Sequence, residues 1–371
     1  MDFSGVTVIY GAPGTGKTAL AASIAHRRLL DGQRVLWATF YEDKQTLVEA
    51  MARLGYDLSG AEIWEAVLTD PTSTFNQISH LVSHSPPNLL VLDSITQLQG
   101  IDIRTNVTNL IYRAFKFAGI DAVIISEEPV GALGHIADNL IKMVLEFAEG
   151  GIAVRRIYVE KSRGRPAGFA KEFEIVEGRG IVYLDELAPR RRERPAALTP
   201  GVSKLDEYVA GARSALIVGG PEASLLAASW AARLARSGLK VLFRTYRGEA
   251  PKAVEDAGGV VEILAADARQ YGRHVYDLAA KAEEVNADVV FYDGLEVEAM
   301  SFGPALALRL NARKLASLSK AGVGLVLASA RGLGLSSLVD VTARVKRDAV
   351  VFSKPYAQPL VCKAAGDFVE C

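Results

Sequence analysis

Residues Gly11-Ala12-Pro13-Gly14-Thr15-Gly16-Lys17-Thr18 bring three glycines, a lysine and a hydroxyl together in the spacing G-x-x-x-x-G-K-[ST]. Each residue type has a use around phosphate. Glycines lack Cβ, so backbone N–H groups can turn inward and approach phosphate oxygens closely. A lysine placed there reaches β- and γ-phosphates, and a threonine hydroxyl suits Mg²⁺, a hard cation that prefers oxygen. Two carboxylates further along fit the same chemistry. Glu42 follows the apolar run Val35-Leu36-Trp37-Ala38-Thr39-Phe40, where a base could position water for attack on a γ-phosphate. Asp93 closes Leu89-Leu90-Val91-Leu92, where a carboxylate can face a metal shell. Taken singly, either acid could be a solvated group at a strand end.

These residues need elements to hold them. Val6-Thr7-Val8-Ile9-Tyr10 reads as a buried strand before the glycine loop, and Ala19 to Ala25 has helical composition after it. A helix there points its positive N-terminal end at the same phosphates. Asp31-Gly32-Gln33 is a turn into the strand that precedes Glu42, and Leu47, Val48, Met51 and Leu54 then recur at helical spacing up to Gly55. In parallel α/β sheets the carboxyl ends of strands face the ligand crevice, which gathers Gly11–Thr18, Glu42 and Asp93 at one end. Ala122-Val123-Ile124-Ile125 is another strand, and Ser126 at its end fits a γ-phosphate sensor or a simple cap equally well. An alternating strand leads to Lys161-Ser162-Arg163, which by itself reads as an exposed basic hairpin.

In order and spacing, the loop, Thr39-Phe40-x-Glu42, Leu92-Asp93-Ser94-Ile95-Thr96 and Lys161-Ser162-Arg163-Gly164 resemble the KaiC-like branch of RecA-type ATPases, over essentially the whole first half. The resemblance implies ATP with Mg²⁺, the metal held by Thr18 and Asp93, and slow hydrolysis. It implies that Lys161 and Arg163 reach the γ-phosphate of a neighbouring subunit, so that a homo-oligomeric ring, with a hexamer favoured, completes the site. Members commonly carry two adjacent glutamates where this chain has Tyr41-Glu42, so Asp43 stays open as an alternative base.

The second half repeats the first at an offset of about 200 residues. Ala215 to Pro221 mirrors Val8 to Pro13, Lys240 to Tyr246 mirrors Arg34 to Phe40, and Asp288 to Asp293 mirrors the strand ending in Asp93. Thr199 to Asp206 resembles the family's entry segment. The chemistry is erased, however. Ser224, Leu225 and Leu226 stand where Gly16, Lys17 and Thr18 are, Gly248 stands for Glu42, and Tyr356 stands for Arg163, while Lys354 matches Lys161. Losing the lysine and threonine contacts alone costs about 3–6 kcal/mol. The expected architecture is therefore α/β: two tandem RecA-like domains, each a mostly parallel twisted sheet flanked by helices. Residues 1–187 form the active domain, 188–198 an exposed charged linker and 199–371 a pseudo-ATPase domain that serves assembly or a protein partner.

Bulk numbers bound the rest. The 371 residues are half apolar with a net charge of −1, so nothing in the total demands nucleic acid, and no apolar run is long enough to span a bilayer. Sparse Asn and Gln beside abundant Ala, Val, Leu, Arg and Glu resembles the composition of heat-adapted proteins. Cys362 and Cys371 make no metal-ligand pattern and read as idle thiols in a reducing cytoplasm. The functional expectation is a regulatory or signalling ATPase. A RecA/RadA-paralogue DNA-repair ATPase and an ATP-gated scaffold with negligible turnover are the alternatives. The first alternative needs basic loops, and the stretches 100–104 and 129–135 that could supply them are not notably basic.

Overall fold

The computed structural model describes residues 3–66, 76–78, 80, 82, 84–95, 119–127, 132–148, 151–193, 195–248, 250–265, 271–355, 357–365 and 368–371. The chain divides into two compact units, Met1–Glu146 with Val154–Tyr183, and Phe147–Ala153 with Leu184–Cys371.

In the first unit the strands are β1 (Val6–Tyr10), β2 (Val35–Thr39), β3 (Glu62–Glu65), β4 (Leu89–Asp93), β5 (Asp121–Ser126), β6 (Asn139–Ala148), β7 (Ile152–Ser162), β8 (Phe169–Val176) and β9 (Gly180–Tyr183). They form one sheet in the order β3-β2-β4-β5-β1-β6-β7-β8-β9. Pairing is parallel from β3 across to β6 and antiparallel between β7, β8 and β9. The central strands are β-branched and apolar because both faces are covered, as parallel strands require. Alternate residues go to separate cores. Ile9, Trp37, Val91 and Val123 pack with Leu20 and Ile24 of α1 (Lys17–Leu30) and Leu47 and Met51 of α2 (Lys44–Arg53). Val8, Leu36, Leu90 and Ile124 form a second cluster on the opposite face.

The second unit has β10 (Ser214–Val218), β11 (Val241–Thr245), β12 (Val260–Ile263), β13 (Val289–Asp293), β14 (Gly324–Ser329), β15 (Val341–Lys346), β16 (Ala349–Ser353), β17 (Leu360–Ala365) and β18 (Phe368–Glu370). Its order, β12-β11-β13-β14-β10-β15-β16-β17-β18, is that of the first unit strand for strand. The two sheets of mostly parallel strands are two RecA-like α/β domains.

Two features differ from the sequence reading. The charged stretch after Tyr183 belongs to the second unit, which begins before the expected boundary at 187. Arg190, Arg191 and Glu193 are exposed, but Arg192 is anchored. Its backbone N–H donates to the Ala321 carbonyl at 2.8 Å, and its guanidinium donates to the Ala287 carbonyl at 2.6 Å and lies 3.7 Å from Asp288. Asp185 is likewise met by Arg313 at 3.1 Å. The other difference is at the cysteines, which are not idle thiols. Cys362 in β17 and Cys371 after β18 form a disulfide, with Cα atoms 4.3 Å apart across the hairpin. Cysteine usage therefore gives no support to a reducing compartment, although disulfides also persist inside cells of hyperthermophiles. Among the described residues no helix is long and apolar enough to cross a membrane.

The disulfide spans nine positions of sequence. Closing a loop of that length stabilises a domain by about 2–3 kcal/mol through the unfolded chain. Thiol titration of the denatured, unreduced protein is expected to find no free thiol, and Cys371→Ser should shift denaturant unfolding of the second domain to lower concentration by that amount.

Candidate active site

The cradle lies between Tyr10, the last residue of β1, and Lys17, the first of α1. Gly11 has φ +151° and its N–H donates to the Ser126 carbonyl at 3.2 Å. A Cβ on Gly11 would sit 2.0 Å from the Met143 carbonyl oxygen, so a side chain is excluded. Gly16 has φ +100°, and a Cβ there would meet Ile175 at 2.8 Å. The Thr15 hydroxyl braces the turn by donating to the Ala12 carbonyl at 2.9 Å. α1 has no side-chain cap and no acid in its first turn, leaving its N-terminal N–H groups to an incoming anion. Lys17 is buried, and its ammonium donates to the carbonyls of Gly11 at 2.8 Å and Ala12 at 3.0 Å.

The carboxylates gather where the parallel strands end. The Thr39 hydroxyl holds the turn after β2. It donates to the Glu42 carbonyl at 2.9 Å and accepts from the Glu42 N–H at 3.2 Å. Phe40 N–H donates to the Asp93 carbonyl at 2.8 Å, tying the end of β2 to the end of β4. Pro13, Gly14, Gly16, Lys17, Thr18, Tyr41, Glu42, Asp93 and Glu127 all line one cleft of about 420 Å³. Burial pushes the Asp93 carboxyl up to about 6. The negative charges of Glu42 and Glu127 add to that, while the Thr18 hydroxyl and Lys17 oppose it. Burial also lowers Lys17, against the pull of Glu127 and Asp93. The residues present therefore fit a nucleotide with a divalent cation: a backbone cradle closed to side chains, a buried lysine, and a hydroxyl beside a buried acid.

Asp43, the alternative base, is otherwise engaged. It caps α2, accepting from the Thr46 N–H at 2.8 Å and from its hydroxyl at 2.7 Å. Ser126 contributes its backbone carbonyl to the loop, and the residue that reaches the cleft is Glu127. The sequence reading does not single out Glu127, although it stands at the carboxyl end of a parallel strand, as Glu42 and Asp93 do.

Lys161 and Arg163 do not line this cleft. β1 pairs with β6 from Thr7↔Asn139 to Tyr10↔Lys142, and the Ser162 hydroxyl donates to Asn139 at 2.9 Å, at the amino end of β1. The Lys161 ammonium donates to the carbonyls of Gly134 at 3.3 Å and His135 at 3.0 Å. Arg163 lies 3.1 Å from Asp138, which also accepts from the Val6 N–H at 3.0 Å. The cradle is at the other end of the strand. Five extended residues span about 17 Å, so within one chain the pair and the cradle are apart. Residues 100–104 and 129–131, which belong to the stretches a DNA-binding reading would need, lie outside the described residues, as does Tyr356.

Among its described residues the second unit shows no such loop after its central strand. Only Gly219 and Gly220 separate β10 from the helix Pro221–Arg236, so Pro221 to Ser224 are wound into helix where Pro13 to Gly16 form the loop. Leu225 is 68% exposed and Leu226 is in the core. Register fixes the other equivalences. Thr39 pairs with Asp93 as Thr245 pairs with Asp293, which sets Gly248 against Glu42. Gly219 N–H donates to the Ser329 carbonyl at 3.1 Å as Gly11 does to Ser126, which sets Ala330 against Glu127. Asp293 accepts from the hydroxyls of Ser224 at 2.6 Å and Thr245 at 3.0 Å, and the guanidinium of Arg247 lies 3.7 Å away, also paired with Glu296.

Residues 4–188 match the family described as "ATPase: KaiC". The first half of the chain belongs to the KaiC-like RecA-type P-loop ATPases. The chain is also similar to the DNA repair and recombination protein RadB of Methanoculleus marisnigri, with 25% identity over 46% of this chain and 86% of RadB. With the DNA repair protein RadA of Mycobacterium tuberculosis it shares 26% identity over 54% of this chain and 44% of RadA. The chain thus spans less than half the length of RadA.

Asp93 makes a pH prediction for the protein without nucleotide. Its carboxyl is raised in the fold to about 6 from 3.8, so its contribution to stability is present at low pH and lost as pH rises through 6. Asp93→Asn is therefore expected to unfold at higher denaturant concentration than wild type at pH 8, by about 2–3 kcal/mol at most, with the difference closing towards pH 4. Parallel unfolding curves at pH 8, 6 and 4.5 measure it.

Proposed function

We propose that the first domain binds ATP with Mg²⁺ and hydrolyses it slowly, and that the working site is completed between subunits of a homo-oligomeric ring, with a hexamer favoured. The observation that carries this reading is the convergence of Gly11–Thr18, Asp93 and Glu42 on one cleft. Backbone N–H groups of the loop and Lys17 hold the phosphates, while Thr18 and Asp93 hold the cation. When bound, the cation neutralises charge on the phosphates. Glu42, fixed by Thr39, positions and deprotonates the attacking water. Lys161 and Arg163 act on the γ-phosphate of the neighbouring subunit. Their place at the end of the sheet opposite the cradle supports action in trans, and their contacts with 134, 135 and 138 hold them ready. Such cationic fingers stabilise charge in the transition state.

The second domain, in this reading, is a pseudo-ATPase that serves assembly or binds a protein partner. Its loop is helical, and the acid that would serve a metal is answered by Arg247. The role is regulatory or signalling and the setting cytoplasmic. Similarity to RadB and RadA favours one other reading, a DNA-repair ATPase. That version requires turnover stimulated by DNA, with the steep salt dependence of phosphate contacts.

Phosphate release run beside light scattering tests the proposal. Wild type with ATP and Mg²⁺ should assemble and turn over, and Glu42→Gln should assemble with turnover lower by about a hundredfold or more. Arg163→Ala should also be inactive, yet mixing it with Glu42→Gln should restore part of the activity, since some interfaces then pair an intact cleft with an intact finger. Failure of the mixture to recover would remove the trans arrangement. Phosphate release already negligible in wild type and unchanged in Glu42→Gln would leave an ATP-gated scaffold, and substantial release unchanged in Glu42→Gln would show that Glu42 is not the base.

A further inference from the structure

One sheet is laid out twice in this chain, and the second copy has helix where the first has its glycine loop. Several residues kept in both copies bond the strand ends of the fold. Thr39 and Thr245 both bond at the end of their strands, through Glu42 in one copy and Asp293 in the other. Ser126 and Ser329 both receive the first N–H after the central strand. Asp138 and Asp340 both accept the N–H that opens it, from Val6 at 3.0 Å and Ser214 at 3.0 Å. Residues lost together in the second copy are Lys17, replaced by Leu225, and Glu42, replaced by Gly248. Glu127 falls in the second group. Its counterpart is Ala330, so the second copy has no side-chain acid at that position, although the Glu296 carboxylate accepts from the Ala330 N–H at 3.0 Å.

Resting on the ATPase reading of the first domain, we infer that Glu127 is a positioning residue for the divalent cation, holding water of the metal's shell between Asp93 and the cradle. β5 lies between β4, which ends in Asp93, and β1, which ends at the glycine loop, so the residue after β5 enters the cleft between them. Mg²⁺ keeps several of its waters and takes few protein ligands, and Thr18 and Asp93 already supply those. A further carboxylate beside them serves as an acceptor for metal-bound water. The electrostatic influence of Glu127 on both Lys17 and Asp93 places its charge within reach of each.

The test is binding of a fluorescent ATP analogue to the full chain, titrated with Mg²⁺ from a metal-free start. Glu127→Gln is expected to need about tenfold more Mg²⁺ for half-maximal binding, as loss of a residue behind a metal site commonly does. Its affinity for the metal-free nucleotide should be equal or tighter, because one repelling charge has gone. Glu127→Ala should behave alike, and Glu127→Asp should recover part of the metal requirement. An unchanged Mg²⁺ requirement in both Gln and Ala variants overturns the role, as does an equal loss of affinity with and without metal. If wild type itself binds no nucleotide, it is the ATPase reading that fails. If wild type binds and the variants match it, Glu127 alone is misassigned.

Discussion

A carboxylate buried at the end of a central strand has to be answered by positive charge or hydrogen bonds, and both halves of this protein are arranged around that requirement. Asp93 and Asp293 occupy the same register, each opposite a threonine on the neighbouring strand. In the first half the answer is partial. Thr18 and Lys17 favour the ionised form, but burial and two nearby glutamates outweigh them. The site is left electrically unfinished, which suits a place that receives a cation. In the second half Ser224, Thr245 and Arg247 answer Asp293 from within the chain. The guanidinium also meets Glu296, which opens the helix Leu295–Phe302, and in the same helix Glu298 is paired with Lys314, both fully buried. What one half leaves to a ligand, the other completes with its own side chains.

The fold and much of the site could be read from the chain because the deciding residues have local reasons. A glycine at φ +151° against a carbonyl is a backbone demand that appears in sequence as Gly11. Apolar runs ending in Glu42 or Asp93 are legible because parallel strands are covered on both faces and end at the crevice. Residues whose role depends on tertiary company were not legible. Asp43 looks like a second acid until Thr46 is seen bonded to it. Arg192 looks like part of a solvated run until the carbonyls of Ala287 and Ala321 are near it. Cys362 and Cys371 gain meaning only when β17 and β18 fold back on each other. Leu225 and Leu226 in place of Lys17 and Thr18 were legible in the sequence, whereas the winding of Pro221 to Ser224 into helix was not.

The sheet also separates two groups of polar residues along its strands. Its carboxyl end holds the cleft, and its amino end holds Lys161, Ser162 and Arg163 through Asn139, Asp138 and the carbonyls of Gly134 and His135. Asp138 has two duties at once, closing the start of β1 and meeting Arg163. A surface cation oriented by a group the fold already needs keeps less conformational freedom than a free one.

The winding of Pro221 to Ser224 into helix has a consequence for descent. Glu222 and Ser224 stand where Gly14 and Gly16 allow left-handed backbone, and Leu225 where Lys17 is. Restoring any one of these alone would give a helix with one altered side chain. A lysine at 225 would have no loop to serve, and glycines at 222 and 224 would loosen the helix with nothing gained. No single substitution along that path rebuilds the loop, so the two copies are kept apart by the shape of their backbones as well as by their side chains.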